Sequence, residues 1–487
     1  MMQDNILYFV SLSGPLNLSL YKHIGITHTD PFFFHNEKKI FALFDAPHLI
    51  KSVRNNLKNY DVSYIEFGKK NGKTLTASWH HIKEFYEQEK SQRFKTAPKL
   101  TDLHVNGKGL ASMKVKLATQ IFSNSVAAGI SAYARGKLLK SKAIDTADFI
   151  GNMNELFDSV NSKSRFSSKR FASAVSDESG HIKFWEECVE WIKSWKFINY
   201  DKRKIVKPAS QKGWIQTLNG LMGLWNDLKN DIGFMLTNRF NQDPLENTFS
   251  SVRSIGGFSD NPNCTQFRNS IQAIIVQNFM KKSASANCEE DSDFNLIELS
   301  KMDIKDVKKL YHEGESFLQE DNDFPKLSDK EIPTFTEIEE NVLSFITGYL
   351  AKLFLKKFSC EQCNSLLVGS KILNMKNFFL YFKEYDIDSE FGLKWPTEDF
   401  YTYMCDISEV LFQNWNDYFY RPNVKKNLQM LLSKIPFTFF GEHEHKEVAK
   451  KMIIHCFVTM MIKHRVKNLN RTNYAPPTKK IKHVMNM

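Results

Sequence analysis

Long apolar runs are missing from this chain. The longest, Met452 to Ile462, is broken by His455 and flanked by lysines, well short of the ~20 residues that a membrane-spanning helix needs. A basic, apolar leader is missing too. The opening MMQDNILYFVSLSG carries Asp4 and no Lys or Arg, so no secretory signal is expected, and the seven cysteines are placed in a reducing compartment without disulfides. No stretch follows the glycine-rich Walker pattern that cradles phosphates, and no internal repeat is visible. Compositional extremes are absent as well. Hydrophobic residues make up 42% and charged residues 25% of the 487 positions, which excludes wholesale disorder and collagen-like architecture and leaves a folded chain of about two to four domains.

What is present is an excess of basic residues. Lys and Arg total 66 against 55 acids, a formal charge of +11, which favours a polyanionic partner, with nucleic acid or nucleotide foremost. Two short basic runs, His464-Arg465-Val466-Lys467-Asn468 and Lys479-Lys480-Ile481-Lys482-His483, suit phosphate contact or nuclear import, although runs of this length are more often solvated faces.

Along the chain, IFALF at 40–44 reads as a buried strand ended by Asp45-Ala46-Pro47, with a helix from His48 to Lys58. Tyr60 to Phe67 alternates weakly, and KKNGKT at 69–74 holds an Asn-Gly turn, which predicts a hairpin or a strand edge. From Trp79 to Lys282 the apolar spacing is mostly three and four, as in Leu117, Ile121, Val126 and Ile130, or Phe149, Met153, Leu156, Phe157 and Val160. That period predicts helix. Ser283 to Asp293 reads as a linker and the tail from Asn468 as disordered, with a further helical region between them. The fold class is therefore α+β and mostly α: a small strand-bearing unit interrupted by a helical insertion.

Two segments carry acids in positions suited to chemistry. Asp45 ends an apolar strand, where α/β sheets present ligands, and an Asp before a Pro-containing helix start is also an ordinary N-cap. In Asn238 to Arg253, Asp243 reads as N-cap, Pro244 as first helical residue and Glu246 as the third, a capping box. The density of Asn, Gln and Arg around it exceeds what a cap requires. Together the segments supply separated carboxylates of the kind that metal-dependent phosphoryl transfer uses.

The strings FDAPHLIKSVRNNL at 44–57, MKVKLATQIFS at 113–123 and NRFNQDPLENTFSSVRSIGGFSDNPNCTQFR at 238–268 resemble the P-element type of DNA transposase, including its THAP-domain relatives, over roughly Leu16 to Ile275. The resemblance implies an RNase H-like core split by a helical insertion that binds GTP. It implies the core at 1–78 and 231–284, the insertion at 79–230, a linker at 285–295, a helical region at 296–470 and a basic tail at 471–487. In the family three acids hold Mg²⁺; Asp45 matches the second and Glu246 the third. The first belongs on a strand tens of residues before Asp45. The chain leaves no room there for it or for the THAP zinc finger, so Mg²⁺-dependent DNA strand cleavage and transfer are expected to be lost. By the same resemblance Lys99, Lys114, Val115 and Ser123 fall where GTP is contacted, Phe157 and Asp158 match a base-stacking and guanine-reading pair, and Asp243 lies near the nucleotide's metal. A carboxylate does accept both N–H groups of a guanine edge; Phe157 as plain core is the competing reading. DNA transposon ends, GTP, a homo-oligomeric assembly and a nuclear location complete the implied set. A non-catalytic DNA- or protein-interaction protein that keeps the fold is the alternative.

Cys360-Glu361-Gln362-Cys363 is a CxxC, which chelates a metal ion such as structural Zn²⁺ when two more ligands converge. His443, His445 and His455 are the later candidates. Alternate histidines share a direction on an extended segment and diverge on a helix. A turn with two buried thiols is the other reading, and the remaining cysteines show no partner spacing.

Overall fold

The computed structural model describes residues 8–12, 14–167, 169–199, 204–255, 257, 261–280, 334–384 and 392–473. The linker expected at 283–293 and the basic run at 479–483 lie outside these residues. The chain divides into two compact units, Met1–Asp291 with Phe382–Gly392, and Ser292–Tyr381 with Leu393–Met487.

In the first unit, β1 (Tyr8–Ser11), β2 (Phe32–His35) and β3 (Lys38–Phe44) form a sheet of order β1-β3-β2, with β1 parallel and β2 antiparallel to β3. Strand β3 is central and continuously apolar at IFALF, as a strand covered on both faces should be. Helix α1 (Pro15–His23) follows β1, and α2 (Ala46–Leu57) follows β3 with Asp45 as N-cap. A second sheet joins the hairpin β4 (Asp61–Ile65) and β5 (Thr74–Ala77) to a hairpin β6 (Lys196–Asn199) and β7 (Lys204–Val206) in the order β5-β4-β6-β7. The β6–β7 hairpin breaks the stretch that periodicity reads as helix throughout. Its strands of four and three residues are too short to register a period against the flanking helices.

Between the hairpins run α3 (Trp79–Glu89), α4 (Asp102–Val105), α5 (Leu110–Met113), α6 (Val115–Ile121), α7 (Asn124–Arg135), α8 (Ala143–Ser159) and α9 (His181–Lys193). Helix α10 (Ala209–Leu228) then lies against β3. Glycines allow that approach: a Cβ at Gly220 would sit 2.4 Å from Leu43 Cδ2, and one at Gly223 2.4 Å from Phe41 Cε1. Where β2 has run out, α10 supplies the missing partners. Gln216 Nε2 donates to Ala42 O, and Thr217 Oγ1 accepts from Phe44 N–H and donates to Phe44 O. The end of β3 is thus held on both sides just before Asp45. Helices α11 (Asp243–Ile255) and α12 (Cys264–Met280) complete the unit.

The second unit contains α13 (Glu337–Lys357), α14 (Glu361–Leu367), the start of α15 (Phe378–Lys383) up to Tyr381, α16 (Glu398–Tyr418), α17 (Val424–Ser433) and α18 (Lys446–Asn473). Helix α13 starts on a capping box, with Thr336 Oγ1 accepting from Glu339 N–H and Glu339 Oε2 from Thr336 N–H. The apolar run of 452–462 is the buried face of α18. That helix extends to Asn473, so the tail expected to be disordered from Asn468 is helical over its first six residues.

Candidate functional site

Asp45 is fully buried at the tip of β3, and its carboxylate is used on two sides. Oδ2 accepts from His48 N–H at 3.0 Å and meets His48 Nδ1 at 2.5 Å, while Oδ1 accepts from Gln242 N–H at 2.6 Å. The N-cap reading is therefore correct, and it is incomplete, because a second segment 197 residues away shares the same carboxylate. Across the ring, His48 Nε2 stands 3.5 Å from Glu246 Oε1. One imidazole thus spans the gap between Asp45 and Glu246, which puts the two carboxylates within about 8 Å of each other. Lys51, one turn along α2, lies beside both: burial holds its ammonium below the ordinary lysine range, and Glu246 and Asp45 act against that lowering.

The local sequence explains the convergence. An N-cap and the third residue of the following helix face the same side, so Asp-x-x-His sets the imidazole over the carboxylate. Helix α11 begins at Asp243 itself, with Glu246 N–H donating to Gln242 O, one residue earlier than the capping-box reading. Gln242 anchors this start to the sheet, since its Nε2 also donates to Val10 O. Neither His48 nor Gln242 is marked by sequence reasoning as functional; the Asp45-to-His48 spacing was the available signal for the first.

The residues implied for nucleotide lie along the helical layer. Lys114 and Val115 start α6, Ser123 is the N-cap residue of α7, and Phe157 and Asp158 sit in the last turn of α8. Helices α7 and α8 pack together. Phe157 is buried. Asp158 faces Lys169 Nζ at 3.3 Å and accepts from Asn154 Nδ2 at 3.2 Å; burial raises its carboxyl, with Lys169 the main opposing influence. Lys99 follows a loop fixed by the buried Glu89, whose carboxylate accepts from Thr96 N–H and Oγ1 at 2.6 Å each and from Ala97 N–H at 3.1 Å. Glu89 is a supporting residue that the sequence did not reveal.

Two connections link this layer to the acid pair. Helix α2 begins at Asp45, and on its far side Arg54 Nη2 donates to Ser112 O and Lys58 Nζ to Gly107 O, holding the segment that leads into Lys114. Arg54 is fully buried, and its Nε and Nη1 find no acceptor among the described residues. Burial, reinforced by Arg54 and Lys83, pushes Lys58 down to about 8. The second connection is the chain just after Asp158. Ser162 N–H donates to Thr237 Oγ1, Asn238 N–H to Ser162 O, and Asn241 Nδ2 to Asn161 Oδ1. Asp243 follows Gln242 directly, so the implied guanine reader, the implied nucleotide-metal residue and the acid pair are joined by one short segment.

A pocket of about 430 Å³ opens elsewhere in the helical layer, lined by Tyr64, Glu66, Asp148 and Glu155 among others. It has three carboxylates and no Lys or Arg in its lining, so it repels phosphate. Burial, then Asp145 and Glu66, push Asp148 up to about 6.

In the second unit, Cys360, Cys363, His443 and His445 each offer a ligand atom, all within 4.8 Å of one another. They are the one such group of three or more metal-ligand residues among the described residues. His455 is not with them. It accepts from Gln429 Nε2 at 2.9 Å and faces Lys425 Nζ at 3.2 Å, and burial pushes it down to about 4.

A strand-tip carboxylate meeting a helix-borne one, with a helical layer inserted between them in sequence, defines a split α+β architecture. Comparison with known proteins gives likenesses at the level of domains and of one relative. A TNP-like GTP-binding insertion domain matches residues 47–174, and a TNP-like RNase H C-terminal domain matches residues 238–270. The Transposable element P transposase of Drosophila melanogaster is 29% identical over 438 residues, covering 87% of this chain and 54% of that protein. The solved Drosophila P element transposase strand transfer complex aligns with 30% identity and a TM-score of 0.47 over 58% of this chain and 62% of that one. The chain is similar to that transposase and spans about half its length.

Proposed function

We propose that this protein is a transposase-type DNA-binding protein that takes guanine nucleotide in its helical layer and Mg²⁺ at Asp45 and Glu246. The observation that carries the reading is the meeting of Asp45, His48 and Glu246 from opposite ends of the inserted layer. The donor set fits the ion. Mg²⁺ is usually held by one or two carboxylates plus phosphate oxygens and water, not by an all-protein cage. Asp45 has about four lone-pair positions and uses three of them, while Glu246 is half exposed and open to solvent. When bound, the ion would neutralise phosphate charge. The protein's own contribution is to fix Asp45 through β3 and Gln242 and to keep Lys51 beside both acids.

In the helical layer Lys99, Lys114, Val115 and Ser123 contact the nucleotide, Phe157 stacks on the base, Asp158 accepts from guanine N1–H and N2–H₂, and Asp243 serves its metal. Lys169 then balances the Asp158 charge when the base is away. With Asp45 and Glu246 as the two acids that match the three of the P-element type, the chain on its own binds DNA without cutting it, and it acts in the nucleus. The test is fluorescence anisotropy with duplex DNA at rising salt, alongside a nicking assay in Mg²⁺. Salt-sensitive binding without strand cleavage is expected; cleavage abolished by Asp45→Ala, or salt-independent binding, would overturn the reading.

A further inference from the structure

We propose that Cys360, Cys363, His443 and His445 form a structural zinc site that staples the carboxyl-terminal unit. The proposal is independent of the DNA and nucleotide reading and stands on geometry. Cys360 Sγ lies 3.4 Å from His443 Nε2, Cys363 Sγ 3.8 Å from the same atom, and Cys363 Sγ 3.4 Å from His445 Nδ1. Zinc arms of about 2.3 Å to sulfur and 2.0 Å to nitrogen, opened to the tetrahedral angle, set a sulfur-to-nitrogen edge of about 3.5 Å. The observed edges bracket that value. Two sulfurs and two imidazoles also form the donor set that selects zinc over harder ions.

The backbone explains how four residues some 80 positions apart meet. Cys360 is the N-cap residue of α14 and Cys363 lies in its first turn, so both sulfurs face one side. His443 and His445 sit on the turn-rich link between Thr438–Phe440 and the start of α18, and both rings reach the cysteine sulfurs. Aromatic rings wall the cluster: Phe358 lies 5.3 Å from the His445 ring and Phe440 5.9 Å from the His443 ring. His445, ligating through Nδ1, turns Nε2 toward Glu444 Oε1 at 3.7 Å, the outer carboxylate that orients many zinc-bound histidines.

Binding releases the thiol protons to solvent and forms two Zn–S and two Zn–N bonds. Nε2 is the His443 nitrogen that faces both sulfurs, and its Nδ1 meets His445 N–H at 2.9 Å. The zinc closes the chain from Cys360 to His445, which encloses α14 to α17, and its loss frees the start of α18 from the start of α14.

The experiment is elemental analysis and zinc X-ray absorption on the full chain, purified without added metal. About one zinc per chain is expected, with two sulfurs near 2.3 Å and two nitrogens near 2.0 Å. Cys363→Ser should lose the zinc, whereas Cys405→Ser and Cys456→Ser keep it. Should Cys363→Ser fail to fold, the absorption spectrum of the unaltered chain still decides. Absence of zinc, a Cys360–Cys363 disulfide in the purified protein, or a bound zinc with no sulfur in its shell would overturn the proposal.

Discussion

The acid pair of the first unit and the Cys/His cluster of the second are both built from residues far apart in sequence, yet they are finished to different degrees. The cluster brings four ligand atoms within 4.8 Å of one another, with three sulfur-to-nitrogen edges near the tetrahedral value, so its ligand set is complete in number. The acid pair has two carboxylates, one buried and heavily hydrogen-bonded and one half exposed, with an imidazole between them. It needs further oxygens from a partner before an ion is well held. In the readings proposed above, one site is a staple that stabilises a fold, and the other is an open seat for phosphate. Completeness of the ligand set separates the two, more than burial does.

The comparison breaks most visibly under chelation. A strong chelator should lower the melting temperature of the second unit by about 10 °C or more and leave the first unit's transition in place, because structural zinc contributes directly to folding. Calorimetric scans that resolve the two transitions check this. Next in size is Glu89→Ala, which strips three donors of their buried acceptor and should cost about 2–4 kcal/mol in denaturant melts. The acid pair itself predicts an asymmetry. Asp45→Ala removes a cap and the link to Gln242 and should cost about 2 kcal/mol, whereas Glu246→Ala, on a half-exposed residue, should cost under about 0.5 kcal/mol. Equal costs would mean that the pair is not one structural joint with one free end.

Nucleotide preference gives a smaller effect. Asp158→Ala should weaken GTP about tenfold by calorimetry and leave ATP unchanged, since a carboxylate suits only the guanine edge. The smallest concerns Asp148. Its carboxyl is raised to about 6 from an ordinary value of 3.8, so the folded chain holds that proton more tightly than the unfolded one. Stability is then lost as pH climbs from about 4 to about 6 and is level above. Asp148→Asn should flatten that slope and, after solvent screening, add under about 1 kcal/mol at pH 7.

Much of this could be read from residue order alone. IFALF followed by Asp-Ala-Pro announces β3, its terminal acid and the cap of α2, and Asp-Pro-Leu-Glu announces α11, because those signals are local. CxxC with His443 and His445 was legible as a candidate ligand set, although spacing could not exclude His455, whose neighbours Gln429 and Lys425 come from a different helix. The β6–β7 hairpin was hidden, since strands of three and four residues between long helices leave no measurable period. The role of His48 was hidden for another reason: its second partner, Glu246, arrives only when α11 folds back onto β1 through Gln242. The service of α10 to β3 likewise rests on Gly220, Gly223, Gln216 and Thr217, residues whose purpose appears only across the contact.

As proposed, Asp45 and Glu246 form one ion-binding seat completed by nucleic-acid phosphate. The direct measurement is Mn²⁺ binding, followed by electron paramagnetic resonance, to the full chain in complex with duplex DNA, with Zn²⁺ retained. Asp45→Asn and Glu246→Gln should each weaken the ion by about tenfold or more, and leaving out the DNA should weaken it similarly. Mn²⁺ held equally well in both variants and without DNA would contradict the claim.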